Sequence, residues 1–98
     1  VEMSVLFALS EPLAIGALEA LRDGGMRIPR DVSFAAFDDF LLASRWDPPL
    51  TVVRQDIEAL AKATADLVVR RIAKPKKTFE PIRVDAAVVW RDSVIAKA

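Results

Sequence analysis

Apolar and polar positions fall into blocks along the chain, and the period changes from block to block. Val5-Leu6-Phe7-Ala8-Leu9 is a continuous apolar run closed by Ser10, Glu11 and Pro12. A short apolar run ending on a turn signal predicts a buried strand of the parallel kind. Beyond it the period becomes helical, with Leu13, Ala17, Ala20 and Ala14, Leu18, Leu21 recurring at spacings of three and four. Ser10 suits the N-cap, where its hydroxyl accepts a bond from a free backbone amide. Pro12 is tolerated in the first turn, where its missing donor costs nothing. Gly24-Gly25 ends the helix after about Asp23, because glycine accepts the left-handed conformation that closes helices. The chain turns over Met26 to Pro29. Val32-Ser33-Phe34-Ala35-Ala36-Phe37 then predicts a second buried strand. Strand, helix and strand make a βαβ unit with a right-handed crossover.

Asp38-Asp39 closes the second strand. Phe40 to Asp47 fits either a short helical stretch or irregular chain, and Pro48-Pro49 stops it. Thr51-Val52-Val53-Arg54 is β-prone. Asp56 can cap a second helix, whose stripe of Ile57, Leu60, Ala61, Thr64, Leu67, Val68 and Ile72 runs at helical period until Pro75 ends it. From Ile82 to Arg91, apolar Ile82, Val84, Ala86, Val88 and Trp90 alternate with Arg83, Asp85, Ala87, Val89 and Arg91. That alternation predicts a last strand with one face buried and one partly wet, and Trp90 in the core. The fold class is therefore α/β, with mainly parallel strands and flanking helices. There is no internal repeat and no low-complexity segment.

With 98 residues, 53% of them hydrophobic, the chain has material for one domain with a core. Fourteen basic residues balance fourteen acidic ones. A nucleic-acid-binding module shows a basic excess clustered on one face. The only basic group here is Arg70, Arg71, Lys74, Lys76 and Lys77, which reads as a solvated helix end favoured by the helix dipole. The chain has no cysteine and no histidine. Disulfides, thiolate chemistry and the commonest general base and metal ligand are thereby excluded, and neither a cofactor, a metal site nor catalytic residues are expected. No apolar run approaches the roughly 20 residues needed to cross a bilayer. Val1-Glu2-Met3-Ser4 does not resemble a signal peptide, and the absence of cysteine fits a reducing, cytoplasmic setting.

Alternating strands and helices bind ligands outside the carboxyl ends of the strands. Two such ends are Leu9-Ser10-Glu11 and Phe37-Asp38-Asp39. Adjacent parallel strands would bring Ser10 and Asp38 together. A hydroxyl beside a carboxylate suits a polyhydroxylated ligand, since a carboxylate accepts strong bonds from ligand hydroxyls. The plainer reading stands beside it: Ser10 only caps a helix, and the two aspartates only mark a solvated strand end. Adjacent side chains on an extended strand point apart, which argues against Asp38 and Asp39 acting as an acid–base pair, and against an enzyme.

The order of these segments resembles one family. Val5 to Leu9, Leu13-Ala14-Ile15-Gly16-Ala17-Leu18-Glu19-Ala20-Leu21 and Gly25-Met26-Arg27-Ile28-Pro29-Arg30-Asp31-Val32-Ser33 resemble the effector-binding domain of LacI/GalR transcription regulators. So do Phe37-Asp38-Asp39, Pro48-Pro49-Leu50-Thr51-Val52-Val53-Arg54-Gln55 and the closing Val88-Val89-Trp90-Arg91-Asp92-Ser93. The likeness covers essentially the whole chain. It implies a periplasmic-binding-protein-like fold of two lobes around a cleft, with this chain as the last third and the helix from Ile57 to Ile72 crossing to the first lobe. It implies a sugar-like small-molecule effector at Asp38, with Ser10, Glu11 and Gln55 near it. The family's usual asparagine-aspartate pair is Ser10-Glu11 here, and its usual glycine before the strand aromatic is Ala36. It also implies a homodimer or higher homo-oligomer with Ile15, Leu18, Leu41, Leu42 and Trp46 at or near the interface, although Leu42 and Trp46 fit lobe core as well. DNA would be contacted only through a helix-turn-helix domain absent from these residues. A solute-binding protein of a sugar transport or chemotaxis system shares the fold and is the competing expectation. The apolar strands of the chain taken alone are expected to drive self-association.

Overall fold

The computed structural model describes residues 4–96. The elements in order are β1 (Val5–Ala8), α1 (Glu11–Asp23), β2 (Ser33–Phe37), β3 (Thr51–Arg54), α2 (Ile57–Ala73) and β4 (Ala87–Val89). The strands form one sheet in the order β1-β2-β3-β4. β1 and β2 pair in parallel, Leu6 beside Phe34 and Ala8 beside Ala36; β2 and β3 pair in parallel, Ala36 beside Val52. The expected βαβ unit and α/β class are both present.

Because partners in register share a face, Leu6, Ala8, Phe34, Ala36 and Val52 form one apolar surface. α1 supplies its counterpart. Ala14, Leu18 and Leu21 are the helix's buried residues, at the four- and three-residue spacing that keeps them on one stripe. Phe34, Leu18, Leu50, Val32 and Val52 are fully buried, each worth about 1.5–3 kcal/mol of apolar transfer. Both ends of α1 are closed as the residue types require. Ser10 Oγ accepts from Leu13 N–H at 3.4 Å. At the other end Gly25 has φ +74°. Its N–H reaches Arg22 O at 3.0 Å while Met26 N–H reaches Leu21 O at 2.9 Å, the paired bonds of a glycine-closed helix.

A buried serine ties the C-terminal segment to two strands at once. Ser93 is fully buried. Its hydroxyl accepts from Thr51 N–H at 2.8 Å and donates to Phe34 O. Its own carbonyl accepts from Phe34 N–H at 2.9 Å. Ile95 N–H adds a bond to Ser33 Oγ at 3.2 Å.

Three expectations are corrected, and the open reading of Phe40 to Asp47 is decided. β1 is an edge strand buried on one face only: Val5, Phe7 and Leu9 are exposed, because α1 covers the face of Leu6 and Ala8 alone. The alternating segment Ile82 to Arg91 contributes just Ala87–Val89 to the sheet. A strand needs a ladder to bond to, and β3 beside it is only four residues long. Trp90, expected in the core, is 73% exposed. Between Phe40 and Asp47 the chain forms turns, not a helix; its apolar content is used at Phe40 and Ala43, which are buried.

The described chain divides into two compact units, 4–54 with 88–96 and Gln55–Ala87. In the second, α2 begins at Asp56, whose carboxylate accepts from Ala59 N–H at 3.0 Å. It ends at the basic run, where Arg71 Nη1 donates to Pro75 O at 3.3 Å and Lys77 O at 2.9 Å while its guanidinium lies 5.1 Å from the Phe79 ring. The basic run is thus an exposed helix end, as read from the sequence. α2 buries no residue among those described, and Ile57, Val68, Val69 and Ile72 are exposed.

Replacing Ser93 by alanine leaves Thr51 N–H and Phe34 O without a partner inside the core, and should destabilise the chain by about 2–4 kcal/mol. A urea midpoint within error of wild type would refute this role. The exposed apolar face of β1 and stripe of α2 should make the chain alone associate, seen as a rising sedimentation coefficient with concentration; a concentration-independent monomer would count against it.

Candidate functional site

β1, β2 and β3 all run in the same direction, so their carboxyl ends lie along one rim. Ser10 and Asp38 each follow the paired Ala8 and Ala36 by two residues along the chain, and Arg54 follows Val53, the partner of Phe37, by one. Neighbouring strands are about 4.8 Å apart. Asp38 N–H still donates to Val53 O at 2.8 Å, so the pairing holds to the rim. β1 and β2 are the parallel neighbours that the expectation for Ser10 and Asp38 assumed. Ser10 is half-buried with its hydroxyl in the helix cap, and Glu11 is exposed in the first turn. Gln55 follows Arg54 directly and opens the second unit.

Asp38 is the only described non-glycine residue with positive φ, at 78°. That region costs an L-residue about 1 kcal/mol or more, and aspartate is among the few that enter it. The turn separates the two aspartates. Asp39 swings to Arg91, which donates to its two carboxylate oxygens at 2.8 and 3.0 Å. Arg91 also donates from Nη1 to Leu50 O at 3.0 Å and from its backbone N–H to Thr51 Oγ1 at 2.9 Å. Arg54 Nη1 approaches Asp39 Oδ2 at 3.6 Å. Asp39 and Arg91 side chains are 18% and 17% exposed. Arg91 holds the Asp39 carboxyl below its ordinary range by its hydrogen bonds; burial opposes this, and the charges of Arg91 and Arg54 add to it. Sequence reasoning did not find this cluster. Asp39 and Arg91 are 52 positions apart, and no local spacing links them; the only trace was the arginine and serine of the closing segment.

The residues expected at a subunit interface separate into three groups. Leu18 is 1% exposed and belongs to the core, because it lies on the inward stripe of α1; its side chain is not available to a partner. Ile15 and Trp46 are half-buried against that core, whereas Leu41 and Leu42 are exposed. An open cleft of about 800 Å³ lies at the far end of α1, lined among others by Leu21, Arg22, Arg45 and Trp46. None of Ser10, Glu11 or Asp38 borders it, so volume alone does not mark the rim.

Residues 4–94 match the family model of the periplasmic binding protein-like domain. The Ribose operon repressor of Haemophilus influenzae is 31% identical over 91 residues, covering 93% of this chain and 27% of that protein. The regulator GalR of Streptococcus thermophilus is 37% identical over 87 residues, covering 89% and 26%. Among solved structures, a LacI family transcriptional regulator from Enterococcus faecalis V583 with bound ribose superposes with a TM-score of 0.83 at 30% identity, covering 95% of this chain and 35% of that one. A complex of the transcriptional regulator CelR with cellobiose gives 0.80 at 34% identity, covering 95% and 28%. The chain belongs to the periplasmic binding protein-like family, and the relatives and solved structures it is similar to are transcription regulators, the LacI family among them. It spans about a quarter of the length of the curated relatives it matches. Those relatives are transcription regulators, not enzymes.

The Asp39 ion pair sets a pH dependence. A carboxyl whose pKa is lower folded than unfolded contributes its full stability above the unfolded value, about 3.9, and loses it as pH falls through the folded one. Asp39→Asn should be less stable than wild type by about 2–3 kcal/mol at pH 7. The gap should narrow below about pH 4. Urea titrations across that range measure it, and a gap that stays constant with pH would rule out this contribution.

Proposed function

We propose that the chain is the C-terminal portion of the effector-binding domain of a LacI/GalR-type transcription regulator. Its effector is a small polyhydroxylated molecule, a sugar or a related polar metabolite, received by Asp38 and Ser10, with Glu11 and Gln55 as further candidate contacts. The observation that carries this is the left-handed backbone of Asp38 at the carboxyl end of a central parallel strand. Strain of this kind persists where the surroundings over-determine it and concentrates at ligand sites. The turn also separates Asp38 from the Arg91–Asp39 pair, so the two carboxylates do different work. Sugar-bound regulators among the structural neighbours support the same ligand class.

In this reading, operator DNA is contacted by a helix-turn-helix domain outside these residues, and effector binding shifts the population that fits the operator. Ile15, Leu41, Leu42 and Trp46 form part of a homodimer interface, without Leu18, and the regulator acts in the cytoplasm. The test is calorimetric titration of the full-length protein with D-ribose, cellobiose and a panel of other mono- and disaccharides. Asp38→Ala should weaken the sugar that binds by about 30-fold or more, the loss of two charge-assisted hydrogen bonds. An undiminished affinity, or no binding across the panel, would overturn the assignment.

A further inference from the structure

The Gln55–Ala87 unit is joined to the remainder by two segments: the chain leaves after Arg54 and returns at Val88. Both segments are tied to one carboxylate. Arg54, the last residue before departure, lies 3.6 Å from Asp39 Oδ2. Arg91, just after the return, grips Asp39 with both guanidinium nitrogens at 2.8 and 3.0 Å. Arg91 is fixed in turn to Thr51 Oγ1 and Leu50 O. Asp39 itself directly follows Asp38, whose N–H is bonded to Val53 next to Arg54.

We propose that Asp39 is a positioning residue that couples the outgoing and returning segments to each other and to the rim at Asp38. Two cations on one carboxylate do not act independently. Displacing Arg54 changes the field and the geometry in which Arg91 is held, and the low exposure of the Asp39–Arg91 pair leaves little solvent to screen the change. Arg54 is well suited to tune this contact, because its side chain is 58% exposed and outside the core. A ligand held at Asp38 would therefore act on both connections through the neighbouring residue. That last consequence rests on the proposed effector site; the coupling of the two segments does not.

Amide hydrogen exchange on the full-length protein tests the coupling without any ligand. Arg54→Gln should accelerate exchange across residues 88–91 about three- to fivefold, as expected for loss of a partly exposed ion pair. Exchange in α1 and β1 should be unchanged. Asp39→Asn should accelerate the same segments more strongly. Adding Arg54→Gln to Asp39→Asn should then have no further effect, since the shared partner is already gone. Three results would overturn the proposal: residues 88–91 unaffected by Arg54→Gln, additive effects in the double variant, or acceleration throughout α1, which marks a merely structural loss. The sugar titrations of Asp38→Ala judge the effector site separately, so either idea can fail alone.

Discussion

The return segment Arg91 to Ser93 holds the first unit together, and the buried hydroxyl of Ser93 is its centre. Parallel strands have no hairpin to set their alignment; something else must hold their starts in place. Here a hydroxyl that accepts from β3 and donates to β2 locks the two strands at one end. A buried group that both gives and takes a hydrogen bond tolerates little displacement, since either bond lost leaves a polar atom unsatisfied in a medium that cannot replace it. The rim at the opposite ends of the strands inherits its geometry from that lock. The carboxyl ends of β1, β2 and β3 line up because Ala8, Ala36 and Val52 do.

Two adjacent aspartates follow the central strand, and their backbones diverge at the left-handed φ of Asp38. Asp39 is committed to Arg91 and Arg54 inside the unit. Asp38 leaves the strand with a left-handed φ. A carboxylate with two guanidinium partners is a poor ligand for a neutral hydroxyl, because the ligand would have to compete with charge-assisted bonds. The proposed ligand contact is accordingly not placed on Asp39.

The exposed apolar residues follow from the architecture. β1 offers Val5 and Phe7 on the face away from α1, and α2 offers a stripe with nothing buried. Apolar faces of this kind are ordinary in a segment that spans about a quarter of its relatives' length.

Much of this protein was legible in its sequence. The βαβ unit, both helix N-caps and the glycine-closed end of α1 follow from local rules: apolar period, a side-chain oxygen before a helix, a residue free to take positive φ. Those rules act over a few neighbouring residues and need no knowledge of the rest. The parallel pairing of β1 with β2 was legible too, since the helix between them provides the crossover. What depends on partners distant along the chain was not. The alternation from Ile82 to Arg91 described a strand, yet only the residues lying beside β3 found backbone groups to bond with. Trp90 had the pattern of a core residue and lies exposed, because alternation says which residues share a face and not whether anything covers that face. Leu18 and Ile15 are three positions apart on one helix, and only packing decided that the first is core and the second half-buried. The pairing of Asp39 with Arg91 across 52 positions belongs wholly to the tertiary structure, since electrostatic attraction selects a partner by distance in space, which the order of residues does not record.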